Sequence, residues 1–266
     1  MPEAKPLAGI RVLVTRPAGR AAPLLLRLKA VGATPIAFPV IRIEPRPDLS
    51  TLEDALARLD TYDWVVFTSA QAVEITWDHL PRPSGPESLQ RRRLAAIGPA
   101  TAQALAGRGA SATLVPEEFI AEAVVEGLGV VDGLRILIPR AEGARQVLPQ
   151  ALIGGGAHVD EIPIYRAVAV EPETGALAEV RRGIDVLTFT SPSTVRAFGQ
   201  IVAAAGLDPL RLPGHPLCAC IGPITAAAAT EAGHRPTVVA GVYTSDGLVE
   251  ALCEHFQESR THGGDR

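Results

Sequence analysis

The chain reads as one unit written twice. Ile97-Gly98-Pro99-Ala100-Thr101-Ala102 returns as Ile221-Gly222-Pro223-Ile224-Thr225-Ala226, 124 positions later. At the same offset of 124, Gly109 meets Gly233, Val115 meets Val239 and Leu128 meets Leu252. Gly9-Ile10-Arg11-Val12-Leu13-Val14 likewise returns as Gly133-Leu134-Arg135-Ile136-Leu137-Ile138, after which Arg16, Gly19, Gly32 and Pro39 meet Arg140, Gly143, Gly156 and Pro163. Phe67-Thr68-Ser69 meets Phe189-Thr190-Ser191 at an offset of 122. A chain duplicated in this way, roughly over 9–128 and 133–252, must build the same supersecondary unit twice. Its 266 residues suffice for two small domains.

Each copy alternates short apolar runs with amphipathic stretches. Strands are expected at 11–15, 34–39, 64–68, 94–97 and 111–115 in the first, and at 135–139, 158–163, 186–190, 217–221 and 237–240 in the second. Runs of Val, Ile, Leu and Phe of this length suit strands buried on both faces. Helices are expected after nearly every strand, at 21–31, 70–80, 100–108, 121–128, 144–153, 193–205 and 224–232. Ser69 and Ser191 sit where an N-cap belongs, and Gly32, Gly109, Gly206 and Gly233 where a helix ends. Pro149 falls inside one helical pattern and should kink or break it.

This alternation predicts an α/β protein with two doubly wound parallel sheets. The repeat boundary at Val130-Val131-Asp132 has no linker character, whereas Glu44-Pro45-Arg46-Pro47-Asp48 and Glu171-Pro172-Glu173-Thr174-Gly175 do. Cutting there predicts a discontinuous domain of 1–43 plus 172–266 and a second domain of 48–168. Each then holds five strands, and the second is a circular permutation of the first, so both can share a flavodoxin-like order. Hinge strands near 36–44 and 162–170 would cross between the domains together and could pair as a two-stranded ladder.

Composition narrows the chemistry. Hydrophobic residues make up 47% and charged residues 20%, the profile of a folded globular protein. No apolar run approaches the roughly 20 residues of a membrane span, and the first residues show no signal-peptide core. A net charge of -4 argues against a nucleic-acid binder relying on bulk basic charge. Three cysteines cannot make a disulfide framework, so a cytoplasmic location is expected. There is no G-x-x-x-x-G-K-[ST], no C-x-x-C, no H-x-x-H and no G-x-S-x-G. Neither a metal nor a cofactor is expected. Cys218 and Cys220 read as core packing on a strand.

The polar motifs gather at one structural position, directly after strands. These are Arg16 after the first strand, Thr68-Ser69, Gly98 with Thr101, Arg140, Ser191 with Ser193, and Thr225 in its Gly-Pro-x-Thr loop. In a doubly wound sheet the carboxyl ends of strands are where ligands bind. Most of these loops also open a helix, whose free N–H groups attract anions, and the arginines could clamp carboxylates. Any single Ser or Thr could equally be only a cap; the whole set favours an anion-binding cleft for a large polyanion. Tyr165, in Ile164-Tyr165-Arg166, stands where the first copy has Ile41. Its phenol could protonate a departing hydroxyl, or it could be an amphipathic residue on a domain-crossing strand; both readings remain open.

Val12-Leu13-Val14-Thr15-Arg16-Pro17, Val66-Phe67-Thr68-Ser69, Ala96-Ile97-Gly98-Pro99-Ala100-Thr101, Pro163-Ile164-Tyr165-Arg166, Phe189-Thr190-Ser191-Pro192-Ser193 and Ile221-Gly222-Pro223-Ile224-Thr225, in this order and spacing, resemble the uroporphyrinogen-III synthase family of tetrapyrrole and heme biosynthesis over about 9–252. The resemblance implies two flavodoxin-like α/β domains joined by a two-stranded ladder. It implies a lyase, working without cofactor or metal, that closes hydroxymethylbilane to uroporphyrinogen III. The ring A hydroxyl leaves as water to give an azafulvene cation, ring D attacks through its substituted carbon, and a spiro pyrrolenine fragments and recloses with ring D inverted. Tyr165 then matches the proton donor, and Thr68, Ser69, Thr101, Ser191 and Thr225 the hydroxyls that bind propionate and acetate groups, with Arg16 and Arg140 as further substrate contacts. The expected partner is this tetrapyrrole, handed over by the preceding enzyme to a monomer, with no nucleic acid and no membrane. The overall negative charge requires a local rather than global attraction for such a substrate. The alternative is a two-domain hinge protein that binds a small polyanion without catalysis.

Overall fold

A computed structural model describes residues 5–171 and 174–263. Pro172 and Glu173 of the expected second linker, and with them the expected boundary at 172, lie outside the described residues. The strands are β1 Arg11–Val14, β2 Thr34–Ala37, β3 Ile41–Pro45, β4 Trp64–Phe67, β5 Arg93–Ala96, β6 Arg135–Ala141, β7 His158–Ala169, β8 Val186–Phe189, β9 Leu217–Cys220 and β10 Pro236–Val239. The helices are α1 Ala18–Ala30, α2 Ser50–Ala57, α3 Ala70–Asp78, α4 Gly85–Gln90, α5 Pro99–Gly107, α6 Ala121–Leu128, α7 Val147–Gly154, α8 Thr174–Arg181, α9 Pro192–Ala204, α10 Pro223–Glu231 and α11 Ser245–Gly263. None of the described helices is long and apolar enough to cross a membrane.

The chain forms two compact units, Met1–Arg42 with Val168–Arg266, and Ile43–Ala167. The first carries a five-stranded sheet of order β2-β1-β8-β9-β10, whose pairs are all parallel. This is the flavodoxin-like order 2-1-3-4-5. The second carries a five-stranded sheet of order β3-β7-β6-β4-β5. The offsets of 124 and 122 place β6, β7, β4 and β5 opposite β1, β2, β8 and β9, so the run β7-β6-β4-β5 has the same spatial order as β2-β1-β8-β9. Register repeats as well: Arg11 pairs with Thr34, and Arg135 with His158.

Burial explains why such short strands hold. All four residues of β4 are buried. Val65 and Phe67 face one core with Leu105 and Ile164, while Trp64 and Val66 face the other with Val124 and Leu152. Successive strand side chains point to opposite faces, so a strand with a core on each side needs no polar residue. In the first unit Val12 and Val14 face a core with Leu24, Leu28 and Leu252. Elsewhere in that unit Phe189 meets Phe198 edge-on at 5.5 Å, and Phe38 meets Phe198 at 6.0 Å. Helices α5 and α10 stop where expected, with Gly109 and Gly233 in the left-handed region at φ +79° and +89°.

Three expectations need correcting. The stretch expected as one strand over 36–44 is divided: β2 ends at Ala37, β3 starts at Ile41, and they belong to different sheets. Pro39, with no N–H to give a ladder, lies in the break. The stretch 111–115 makes only an isolated bridge, Ala95 to Leu114, at the position where β10 pairs Val238 with Ala219. There the Thr113 hydroxyl accepts the Leu94 N–H at 3.2 Å, taking a donor that a ladder would use. The second sheet's fifth strand is β3 instead. Finally, Pro149 neither kinks nor breaks a helix. Helix α7 begins at Val147, so the proline lies in its first turn, where a missing N–H has no partner to lose.

Candidate active site

In a parallel sheet every strand ends on the same edge, and the loops there run into helix N-termini. In the second unit, β4 delivers Thr68 and Ser69 to that edge. Ser69 is extended and caps α3, its Oγ accepting the Ala72 N–H at 3.1 Å. The same Oγ lies 2.8 Å from the Tyr165 hydroxyl. Tyr165 reaches it through an irregularity of β7: Arg140 pairs with Pro163, but Ala141 pairs with Tyr165, leaving Ile164 as an extra residue. A bulge of this kind re-aims the side chain beside it. The ring is buried in the core cluster of Phe67, Leu137 and Ile164, and the Tyr165 carbonyl accepts the Glu142 N–H at 2.7 Å.

Arg140, next to last in β6, has only 4% of its surface exposed. Its Nη2 donates to the Arg145 carbonyl at 2.8 Å, and its Nη1 lies 3.4 Å from Glu161 Oε1. Buried Nε and Nη1 have no hydrogen-bond acceptor among the described residues. Burial pulls the guanidinium pKa down, while the charges of Glu161 and Tyr165 push it up. Gly98 precedes α5, and Thr101, in the first turn, is buried with its N–H on the Gly98 carbonyl at 3.1 Å. A side chain on Gly98 would stand 3.1 Å from Phe119 Cγ.

In the first unit, Arg16 follows β1 and its Nη1 donates to the hydroxyl of Ser245, the first residue of α11. Burial, then the charge of Arg20, lowers its pKa. Ser191 caps α9 in a capping box: its Oγ accepts the Thr194 N–H at 3.3 Å, and Thr194 Oγ1 accepts the Ser191 N–H at 3.3 Å. Ser191 and Ser193 share a hydroxyl hydrogen bond of 2.8 Å. Thr225 is buried in the first turn of α10, and a side chain on Gly222 would stand 3.1 Å from the Tyr243 ring.

The fold therefore joins Ser69 to Tyr165 and Ser191 to Ser193, whereas Arg16 and Arg140 each have partners of their own. Sequence reasoning missed four neighbours: Glu161, Ser245, Phe119 and Tyr243. The last two stand 124 apart, as do the glycines they cover, and that offset could have found them.

Known proteins resemble this chain over most of its length. A model of the family described as "Uroporphyrinogen-III synthase HemD" matches residues 23–250. The chain belongs to the uroporphyrinogen-III synthase family. The Synechococcus elongatus uroporphyrinogen-III synthase is 37% identical over 254 residues, covering 93% of this chain and 96% of that one. The Salmonella typhimurium uroporphyrinogen-III synthase is 31% identical over 251 residues, 91% of this chain and 99% of that one. Among solved structures, a uroporphyrinogen III synthase of Thermus thermophilus superposes with a TM-score of 0.63 at 19% identity, over 94% of this chain and all (100%) of the other. That of Helicobacter pylori gives 0.60 at 15% identity, over 92% and 99%. At such identities these two speak to the fold: two parallel-dominated α/β sheets. This member of the uroporphyrinogen-III synthase family brings to its sheet edges one phenol, two arginines with lowered pKa values, and hydroxyls on helix caps. That equipment can pass a proton and hold anions.

Proposed function

We propose that this chain closes hydroxymethylbilane to uroporphyrinogen III with inversion of ring D, as a cytoplasmic lyase that needs no cofactor. The observation that carries the reading is the family match across most of the chain, with the motif tyrosine held at a sheet edge beside a helix cap. All three cysteines are free thiols, in keeping with a reducing compartment.

The Tyr165 O–H gives its proton to the ring A hydroxyl. The carbon–oxygen bond breaks, its electron pair leaves with water, and the azafulvene cation remains. Ring D attacks that cation, and the spiro intermediate opens and recloses. Reclosure joins the bridging carbon to the unsubstituted α-carbon of ring D, and the proton lost from that α-carbon as the pyrrole rearomatises restores the phenol. Thr68, Thr101, Ser191, Ser193 and Thr225, with the amides behind Gly98 and Gly222, would hold propionates and acetates at helix N-termini. Arg140 offers two buried donors, and Arg16 a guanidinium shared with Ser245. Binding in one folded-back conformation replaces much of the search that a linear tetrapyrrole makes in water. A two-unit chain that accepts its substrate as a monomer from the enzyme that makes it is part of this reading. A hinge protein that only binds a polyanion is not favoured, because nothing in that role requires the tyrosine.

The test is the rate at which freshly made hydroxymethylbilane disappears. Addition of the protein should accelerate its consumption far above spontaneous closure. An unchanged rate from folded protein would overturn the proposal and leave the binding reading.

A further inference from the structure

We propose that Glu161 is a positioning residue, a resident carboxylate that holds Arg140 in place until a carboxylate of the substrate displaces it. The inference rests on the reading of the chain as acting on a polycarboxylate that Arg140 contacts. Strand residues alternate faces, so Arg140 shares a face of β6 with Ile136 and Ile138, and Glu161 shares a face of β7 with Val159. Those three apolar residues pack in the core with Leu148 and Leu152 of α7. Arg145 and Gln146, the two residues before α7, both touch the pair. Helix α7 opens there with no side-chain cap and no acid in its first turn, a place that favours an anion.

The charge of Arg140 is met at this place, but its hydrogen bonds are not. Glu161 Oε1 lies 3.4 Å from Nη1 as an ion pair without a hydrogen bond, and that oxygen instead accepts a Gln146 Nε2–H at 3.1 Å. Nη2 donates to the Arg145 carbonyl at 2.8 Å, while the buried Nε and Nη1 have no acceptor among the described residues. Buried donors left unmatched are costly, and a carboxylate is the group that supplies both charge and paired acceptors to a guanidinium. An incoming carboxylate therefore gives Arg140 what Glu161 does not. The Glu161 side chain is 28% exposed against 5% for Arg140, so it is the partner that can turn aside. Tyr165 and Arg145 are the other titratable groups that act on Arg140. Asp160, beside Glu161, is engaged by the Tyr62 hydroxyl.

The experiment is a double-mutant cycle on the full chain, read as the dissociation constant of uroporphyrin, a fluorescent polycarboxylate related to the product. Glu161→Gln keeps the size of the side chain and a carbonyl for Gln146, but removes the charge. It should tighten binding roughly tenfold, because no resident anion has to be displaced. Arg140→Met should weaken binding, and in that background Glu161→Gln should change it by less than about twofold. Glu126→Gln removes the same charge from α6 and should also stay within about twofold of the parent; it serves as the control if Arg140→Met does not fold. Equal tightening in the Arg140→Met background, or equal tightening by Glu126→Gln, would assign the effect to general repulsion of a polyanion and overturn the proposal. Unchanged or weaker binding by Glu161→Gln, or no binding by any of these proteins, would overturn it as well. If the parent still consumes hydroxymethylbilane, those results strike this inference alone. A folded parent that leaves hydroxymethylbilane untouched would instead remove the functional reading, and this inference with it.

Discussion

A bulge at Ile164 decides what Tyr165 can do, because one residue of slip turns a side chain to the other face of a strand. With the proposed general acid removed, Tyr165→Phe should lower kcat by about 10²-fold or more while circular dichroism and the unfolding midpoint stay close to the parent. Retained turnover would leave the ring as packing. His234 offers a residue-scale prediction about stability. Its ring lies 5.4 Å from Phe189, and burial holds its pKa below the usual 6.5. As pH falls through that value, the unfolded chain binds a proton that the folded chain still refuses, so stability drops on acidification. Urea midpoints at two pH values, one on each side of 6.5, should therefore differ more in the parent than in His234→Leu. Equal differences would show that the imidazole titrates normally. At this scale the sequence was half legible. Ser69 announces itself as a cap because capping is local, but its tyrosine lies 96 residues away. No local pattern joins them, and the bulge that aims the ring arises from pairing between strands.

At the scale of elements, periodicity and the offset of 124 were the readable part. β1, β4, β6 and β8 have largely apolar centres with buried residues on both faces, and their helices follow as the doubly wound pattern requires. What could not be read was competition for backbone groups. Thr113 diverts the Leu94 N–H and reduces an expected strand to a bridge, while β3 joins the other edge of the same sheet. Two loops that open helices also meet an aromatic lid, Phe119 over Gly98 and Tyr243 over Gly222. Gly98→Ala should press a methyl group against the Phe119 ring at 3.1 Å and cost about 1–3 kcal/mol, read as a lower urea midpoint. Adding Phe119→Ala should recover part of that loss. Additive costs in the double variant would show that the ring is not what excludes the side chain.

For the whole molecule, the strand runs β2-β1-β8-β9 and β7-β6-β4-β5 invite one further reading. The strands that open the first unit, β1 and β2, correspond at the offset of 124 to β6 and β7, which come last in the second. The unit Ile43–Ala167 is continuous in sequence and has a core on each face of its sheet. Expressed alone, it should unfold in a single cooperative urea transition; a gradual loss of ellipticity would contradict a self-sufficient core. The formal charge of -4 is of the wrong sign for a polycarboxylate, so attraction must be local. Binding should then weaken with salt less steeply than for a basic protein.

The central claim is that this chain directs ring closure rather than merely hastening it, and the identity of the product tests that most directly. Freshly generated hydroxymethylbilane would be incubated with the protein, the products oxidised, and the type I and type III uroporphyrins separated by chromatography. The account predicts predominantly type III, above the type I that forms spontaneously. Type I alone, from protein shown to be folded, would contradict it.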